Sequence, residues 1–234
     1  LRVRQDYLIA QGLLQPFEEG APANPKMLEL AVARLKQLSA HEIGHTIGLA
    51  HSYATSANNR SSVMDYPYPL ITETANGELD LSNAYDDKIG DWDKWAIKYG
   101  YAVVPEGQNE AAFLKKTLED TYDAGHQFIT DSDSRSPSGA HPTSHLWDNG
   151  ASASEELTRM LKLRENRMKT FGLNAIEEGQ PTALIEEVFV PLYLMHRFQI
   201  EATSKLLGGV DYRYKVKGDN QPNHGWVHAA EQEA

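Results

Sequence analysis

The stretch HEIGHTIGLAH at residues 41–51 constrains this chain more than any other feature. On a helix, positions four apart lie one above the other, so His41 and His45 can aim two imidazoles at one ion. Glu42 is turned about 100° from His41, yet its carboxylate can reach a water at that ion, which is the mechanics of an H-E-x-x-H motif. Gly48 can take a left-handed conformation and turn the chain sharply, which lets His51 swing back as a third ligand. Three neutral imidazoles suit zinc and leave a fourth position open for chemistry. With 9 His and 17 Gly in 234 residues, the five fixed residues coincide by accident in roughly one chain in 10⁴. The competing reading, a solvated helix with scattered histidines, has to accept that coincidence.

The surroundings of the motif read mainly as helix. Asn24 followed by Pro25 is a helix start, and Met27, Leu28, Leu30, Ala31, Leu35, Leu38 and Ile43 recur with rough helical spacing. The pattern predicts one helix from about Pro25 to Ile47, ended by Gly48. Before it, residues 1–20 read as a short helix or irregular lead-in and 21–25 as a Pro-rich joint. Residues 52–90, rich in Ser, Asn, Asp, Gly and Pro, read as irregular. A helix is expected over 91–99, stopping at Gly100, with Trp92, Trp95 and Tyr99 on one core-facing side. Further helices are expected over 105–120, from Ser152 or Ser154 onward (Ser152 and Glu155 at capping-box spacing), and over 181–207. The helix from Ser152 is lined by Leu157, Met160, Leu161, Met168 and Phe171. The last is kinked at Pro191 and apolar nearly all round, hence buried. The tail after Lys217 reads as a linker or loose end.

A net charge of −11 repels phosphate backbones, so nucleic acid is not an expected partner. No cysteine is present, which removes disulfides, thiolate metal sites and cysteine nucleophiles together. No apolar run is long enough to span a bilayer; the nearest, around 183–200, is interrupted by Glu186, Glu187, His196 and Arg197. The opening at Leu1, with no signal-peptide pattern, reads as a piece of a longer protein.

HEIGHTIGLAH matches the metzincin zinc signature HExxHxxGxxH at every fixed position, and SVMDY at 62–66 resembles the methionine turn of that superfamily. The resemblance implies that Met64 forms an apolar floor beneath the imidazoles. It also implies that Tyr66 ligates the ion or hydrogen-bonds an oxyanion; the alternative for Tyr66 is a packed aromatic before Pro67. More narrowly, QLSAHEIGHTIGLAHS, SVMDYP, GELDLS, IGDWDKWAIKYGY, HLWDNG, VPLYLMHR and GGVDYRY resemble large bacterial zinc-dependent metalloproteases with a "Met-zincin" domain. That resemblance spans about residues 1–218. It implies a secreted or otherwise extracytoplasmic hydrolase acting on peptides or proteins, with Zn²⁺ held by His41, His45 and His51 and Glu42 as general base.

The fold expected is mainly α, a metzincin piece with the zinc helix, the methionine turn and a helical C-terminal extension. Only 40 residues precede His41, and they read as helix and loop, so the N-terminal sheet of metzincins is expected to be largely missing. The expected division is 1–104 for the zinc-binding part, 105–218 for the extension and 219–234 for the tail. Two other functions stay open: an inactive zinc-binding scaffold, and a zinc hydrolase of non-peptide amides. The intact Glu42 argues against the first.

Weaker signals lie elsewhere. His141 and His145 are four apart but loop-like; they read as surface or hydrogen-bonded histidines, with a second metal site or a loop folded over the cleft as alternatives. His224 and His228 read as solvated, and His196 as a satisfied core histidine. Asp131 and Asp133 resemble the opening of a calcium loop without its glycine and glutamate, and read as turn formers.

Overall fold

The computed structural model describes residues 2–20, 24–136 and 138–234; positions 21–23, most of the expected Pro-rich joint, lie outside them. The described residues are mainly helical. In chain order the helices are α1 (Arg2–Leu14), α2 (Pro25–Thr46), α3 (Asp91–Tyr101), α4 (Glu110–Asp123), α5 (Asp131–Ser134), α6 (Ala153–Met168), α7 (Ile185–Tyr193), α8 (Arg197–Ser204) and α9 (Ala229–Gln232). Two antiparallel pairs supply the strands: β1 (Thr72–Glu73) with β2 (Leu79–Asp80), and β3 (Val210–Asp211) with β4 (Gly225–Trp226). All four follow α2 in the chain.

The start of α2 forms as its sequence dictates. The Asn24 side chain accepts from the backbone N–H of Lys26, and Pro25 occupies the first turn, where its missing N–H costs nothing. Its buried face differs from the apolar pattern. Met27, Leu30, Arg34, Gln37, His41 and Gly44 are buried, whereas Leu28, Leu35 and Ile43 are exposed. The inward polar residues find partners: Arg34 bonds Gln37, and the Gln37 amide donates to the Val63 carbonyl at 3.3 Å. The helix gives part of its inner face to these polar residues and to His41 rather than to apolar packing.

The main core joins Ile9, Ala10 and Leu13 of α1, Met27 and Leu30 of α2, Met160 and Leu163 of α6, Leu192 of α7, and Tyr68, Ile71 and Tyr85 from the intervening loops. It therefore draws on residues from both the 1–104 and the 105–218 stretches. Asp6 is buried beside it, ion-paired to Arg2 at 2.8 Å and hydrogen-bonded by Tyr85 Oη at 3.0 Å.

Several expectations are corrected. Of the aromatic stripe on α3, which runs to Tyr101, only Trp92 is buried; Trp95 is half-buried and Tyr99 exposed, because the stripe is wider than the contact that α3 makes. In α6 the buried side chains are Glu156, Met160 and Leu163, Leu161 is exposed, and Phe171 lies past the helix end. The expected long helix over 181–207 is broken into α7 and α8 by a turn after Tyr193, not at Pro191, which stays inside α7. Val190, Tyr193 and Ile200 are exposed, so this hairpin has an outer face and is not buried all round; His196 is half-buried at the break. Nor is the tail loose: β4 pairs with β3, and Val227 is buried with its N–H bonded to the Gly209 carbonyl at 2.9 Å.

Candidate metal centre

His41 and His45 stand one turn apart on the last turns of α2. The helix ends at Thr46, and Gly48, at φ +85°, takes the left-handed conformation that reverses the chain. Tyr101 Oη ties this end to α3 by donating to the Ile47 carbonyl at 2.6 Å. The bend carries His51 back, and the ligand atoms of His41, His45 and His51 all lie within 4.8 Å of one another. His45 Nε2 is 3.1 Å from His41 Nε2 and 3.2 Å from His51 Nε2.

The opposite ring nitrogens decide what these close approaches mean. His41 Nδ1 lies 2.7 Å from the Val63 carbonyl, His45 Nδ1 2.9 Å from the Leu49 carbonyl, and His51 Nδ1 2.8 Å from Asp131 Oδ2. A carbonyl or carboxylate oxygen can only accept, so each Nδ1 carries the proton and each Nε2 presents a lone pair. Three lone pairs facing one another with no proton between them repel, and a cation at their centre turns that repulsion into ligation. Ligands at about 2.0–2.1 Å from a tetrahedral zinc ion sit roughly 3.3 Å apart, close to the spacing found. Burial also lowers the pKa of His41, which keeps its ring neutral. The residues present thus fit a metal ion of zinc type.

The methionine turn lies against this helix. Met64 is fully buried, and a Cβ built on Gly44 would come 2.2 Å from Met64 Sδ, so Gly44 is the gap into which the thioether fits. Asp93 of α3 secures the turn from behind, accepting from Ser62 Oγ at 2.6 Å, Val63 N at 2.9 Å and Gly90 N at 2.7 Å. The Val63 carbonyl that orients His41 is therefore itself held.

Tyr66 comes to the triad, its ring centroid 5.2 Å from that of His41 and 4.7 Å from that of His51. Trp147 stacks on its other side at 4.9 Å and 8°, and the backbone N–H of Trp147 donates to the Tyr66 carbonyl at 2.8 Å. Glu42 is exposed and makes no hydrogen bond or ion pair among the described residues.

Four residues join the site that the sequence did not place there: Asp131, Tyr53, Arg135 and Trp147. Asp131, expected to be a turn former, orients His51, accepts from Tyr53 Oη at 3.1 Å and pairs with Arg135 Nε at 3.0 Å. Burial pushes its carboxyl up, but the hydrogen bonds from His51 and Tyr53 and the charge of Arg135 outweigh this and hold it below the usual carboxylate range. The Arg135 guanidinium sits 5.2 Å from the Tyr66 ring centroid. Asp131, Arg135 and Trp147 belong to the polar loop over 130–150, whose alternative reading brought it across the cleft; Tyr53 lies outside that loop and carried no signal. His141 and His145 from that loop are buried, not on the surface: His141 Nε2 bonds the Tyr212 carbonyl at 3.1 Å and His145 Nε2 the Pro142 carbonyl at 2.7 Å. His224 and His228 are exposed.

Among the described residues no helix is long and apolar enough to cross a membrane. No curated protein and no solved structure matches the chain. A family model described as Met-zincin does match, over residues 23–234. That match takes in the histidine triad, the methionine turn and the Asp131 loop that braces them, and the chain belongs to the Met-zincin family.

Proposed function

We propose that this chain is the zinc-bearing part of an endopeptidase. The reading rests on one observation above all: three imidazoles, each fixed with its proton on Nδ1, turn their Nε2 lone pairs on one point at the solvent-facing end of α2. A zinc ion bound there supplies Lewis-acid polarisation of the scissile carbonyl and activation of water at neutral pH. Glu42 takes the proton of the attacking water and returns it to the leaving amine. Tyr66 donates from its hydroxyl to the oxygen on which negative charge develops. Asp131 keeps His51 in the ligating tautomer. Beside them, Arg135, Trp147, Phe198 and Lys205 help line a cavity of about 160 Å³, the proposed seat of a substrate side chain. Extracytoplasmic placement belongs to the same proposal.

Glu42 favours this reading over an inactive scaffold, since an exposed carboxylate without a partner has no evident structural task. The test is peptide cleavage by the zinc-loaded protein before and after Glu42→Gln. The expected outcome is full zinc content with cleavage reduced by about 10²–10⁴-fold; cleavage at the original rate sinks the assignment.

A further inference from the structure

Two cations, Arg135 and Lys205, line the cavity of about 160 Å³ next to the metal centre. Arg135 joins that cavity to the site. Its guanidinium lies 5.2 Å from the Tyr66 ring centroid, and that ring is 4.7 Å from the ring of His51. Trp147, which forms another wall, stacks on the same tyrosine.

Neither cation is fully matched inside the fold. Arg135 meets one carboxylate, Asp131, through Nε at 3.0 Å, and its side chain is 47% exposed. Asp131 is shared with His51 and Tyr53, so it neutralises the guanidinium only in part. A guanidinium carries enough donors in one plane to hold a second carboxylate at the same time. Lys205 is buried. Its ammonium donates to the Ser134 carbonyl at 2.9 Å and the Ser144 carbonyl at 3.1 Å, and it makes no ion pair among the described residues. An ammonium has three N–H donors, so one is left over, on a charge held out of water without a countercharge. Burial lowers the Lys205 pKa accordingly. The lining includes one carboxylate, Glu201 of α8, which is exposed and makes no ion pair among the described residues. The balance of the lining is therefore positive, in a chain whose net charge is −11.

We infer that this cavity selects an acidic side chain in the substrate, an Asp or Glu whose carboxylate is received by Arg135 and Lys205. The walls of Trp147 and Phe198 suit the methylenes of such a side chain. A chain-terminal carboxylate has the same charge but no such stem. That the ligand is a peptide rests on the peptidase reading; the affinity of the cavity for a carboxylate does not. The net negative charge of the protein repels acidic peptides at long range, so a preference for them has to come from local contacts.

The test separates binding from cleavage. Dye-labelled alanine-host peptides, acetylated and amidated, carry one guest residue: Glu, Gln, Leu or Lys. Their binding to the zinc-loaded Glu42→Gln protein is followed by fluorescence anisotropy, and their cleavage by the zinc-loaded wild type is measured in parallel. The Glu guest is expected to bind roughly 10–100-fold more tightly than Gln, with Lys weakest, and kcat/KM is expected to follow the same order. Arg135→Gln, at an exposed position, should bring Glu and Gln close together with zinc content unchanged, and Arg135→Lys should restore part of the difference. Lys205→Met should also narrow it. Equal binding of Glu and Gln guests to the protein with Arg135 intact overturns the proposal, as does a preference undiminished in both Arg135→Gln and Lys205→Met. A guest-free host with a free terminal carboxylate that binds as tightly as the Glu guest overturns the assignment to a side chain. Selective binding of Glu without cleavage of any peptide sinks the peptidase reading and leaves the carboxylate seat standing; cleavage of all guests alike sinks the seat and leaves the peptidase.

Discussion

His51 Nδ1 donates to Asp131 Oδ2 across 2.8 Å, joining residues 80 positions apart. The contact sets the tautomer of the third ligand and anchors the loop that carries Arg135 and Trp147. Removing such an orienting carboxylate typically costs 10–100-fold in metal affinity. Asp131→Ala is therefore expected to weaken zinc binding by about 10–100-fold, and His51→Ala by more, since it deletes the ligand itself. Competition against a chromophoric chelator measures both; equal zinc affinity in wild type and Asp131→Ala would remove the bracing role.

The two glycines of the motif region answer to different physics. Gly44 is needed for space, because a Cβ there meets buried Met64 Sδ at 2.2 Å. Gly44→Ala gains about 1 kcal/mol in helix propensity but incurs about 1–3 kcal/mol of overpacking. Gly48 has open space around it and a φ of +85°, so Gly48→Ala is strained by backbone alone, by about 1–2 kcal/mol. Replacing Met64 by the smaller Val should rescue zinc affinity in Gly44→Ala and not in Gly48→Ala. Rescue of both, or of neither, contradicts the distinction.

Tyr66→Phe keeps the ring stacked on Trp147 and removes only the hydroxyl. If that hydroxyl stabilises the oxyanion, kcat falls by about 10²–10³-fold, with KM and Tm nearly unchanged. Unchanged kcat would return Tyr66 to a packing role.

His145 makes stability depend on pH. Burial, then the charge of Lys205, pushes its pKa from 6.5 down to about 3. Between those values the unfolded chain binds a proton that the folded chain refuses. The contribution of this residue is thus complete above pH 6.5 and is lost as pH falls toward 3, by on the order of 5 kcal/mol. His145→Gln should flatten the pH dependence of urea unfolding in that window. A slope identical to wild type would show that His145 titrates normally in the fold.

The sequence by itself determined what depends on neighbours within a few residues. The stacking of His41 over His45, the Asn24–Pro25 helix start, the Gly48 reversal and the return of His51 all follow from helical period and backbone sterics. Hence the histidine triad was legible, and so was the mainly helical fold. Tertiary structure decided what depends on how distant segments close on one another. It brought Asp131 to His51, laid Trp147 on Tyr66, seated Met64 in the notch of Gly44, and set Arg135 and Lys205 on one cavity. It also turned Leu28, Leu35 and Ile43 to solvent and drew the tail onto β3. Such contacts carry no periodic signature, because the register between a loop and a helix is set by the packing of the whole core and by no spacing along the chain.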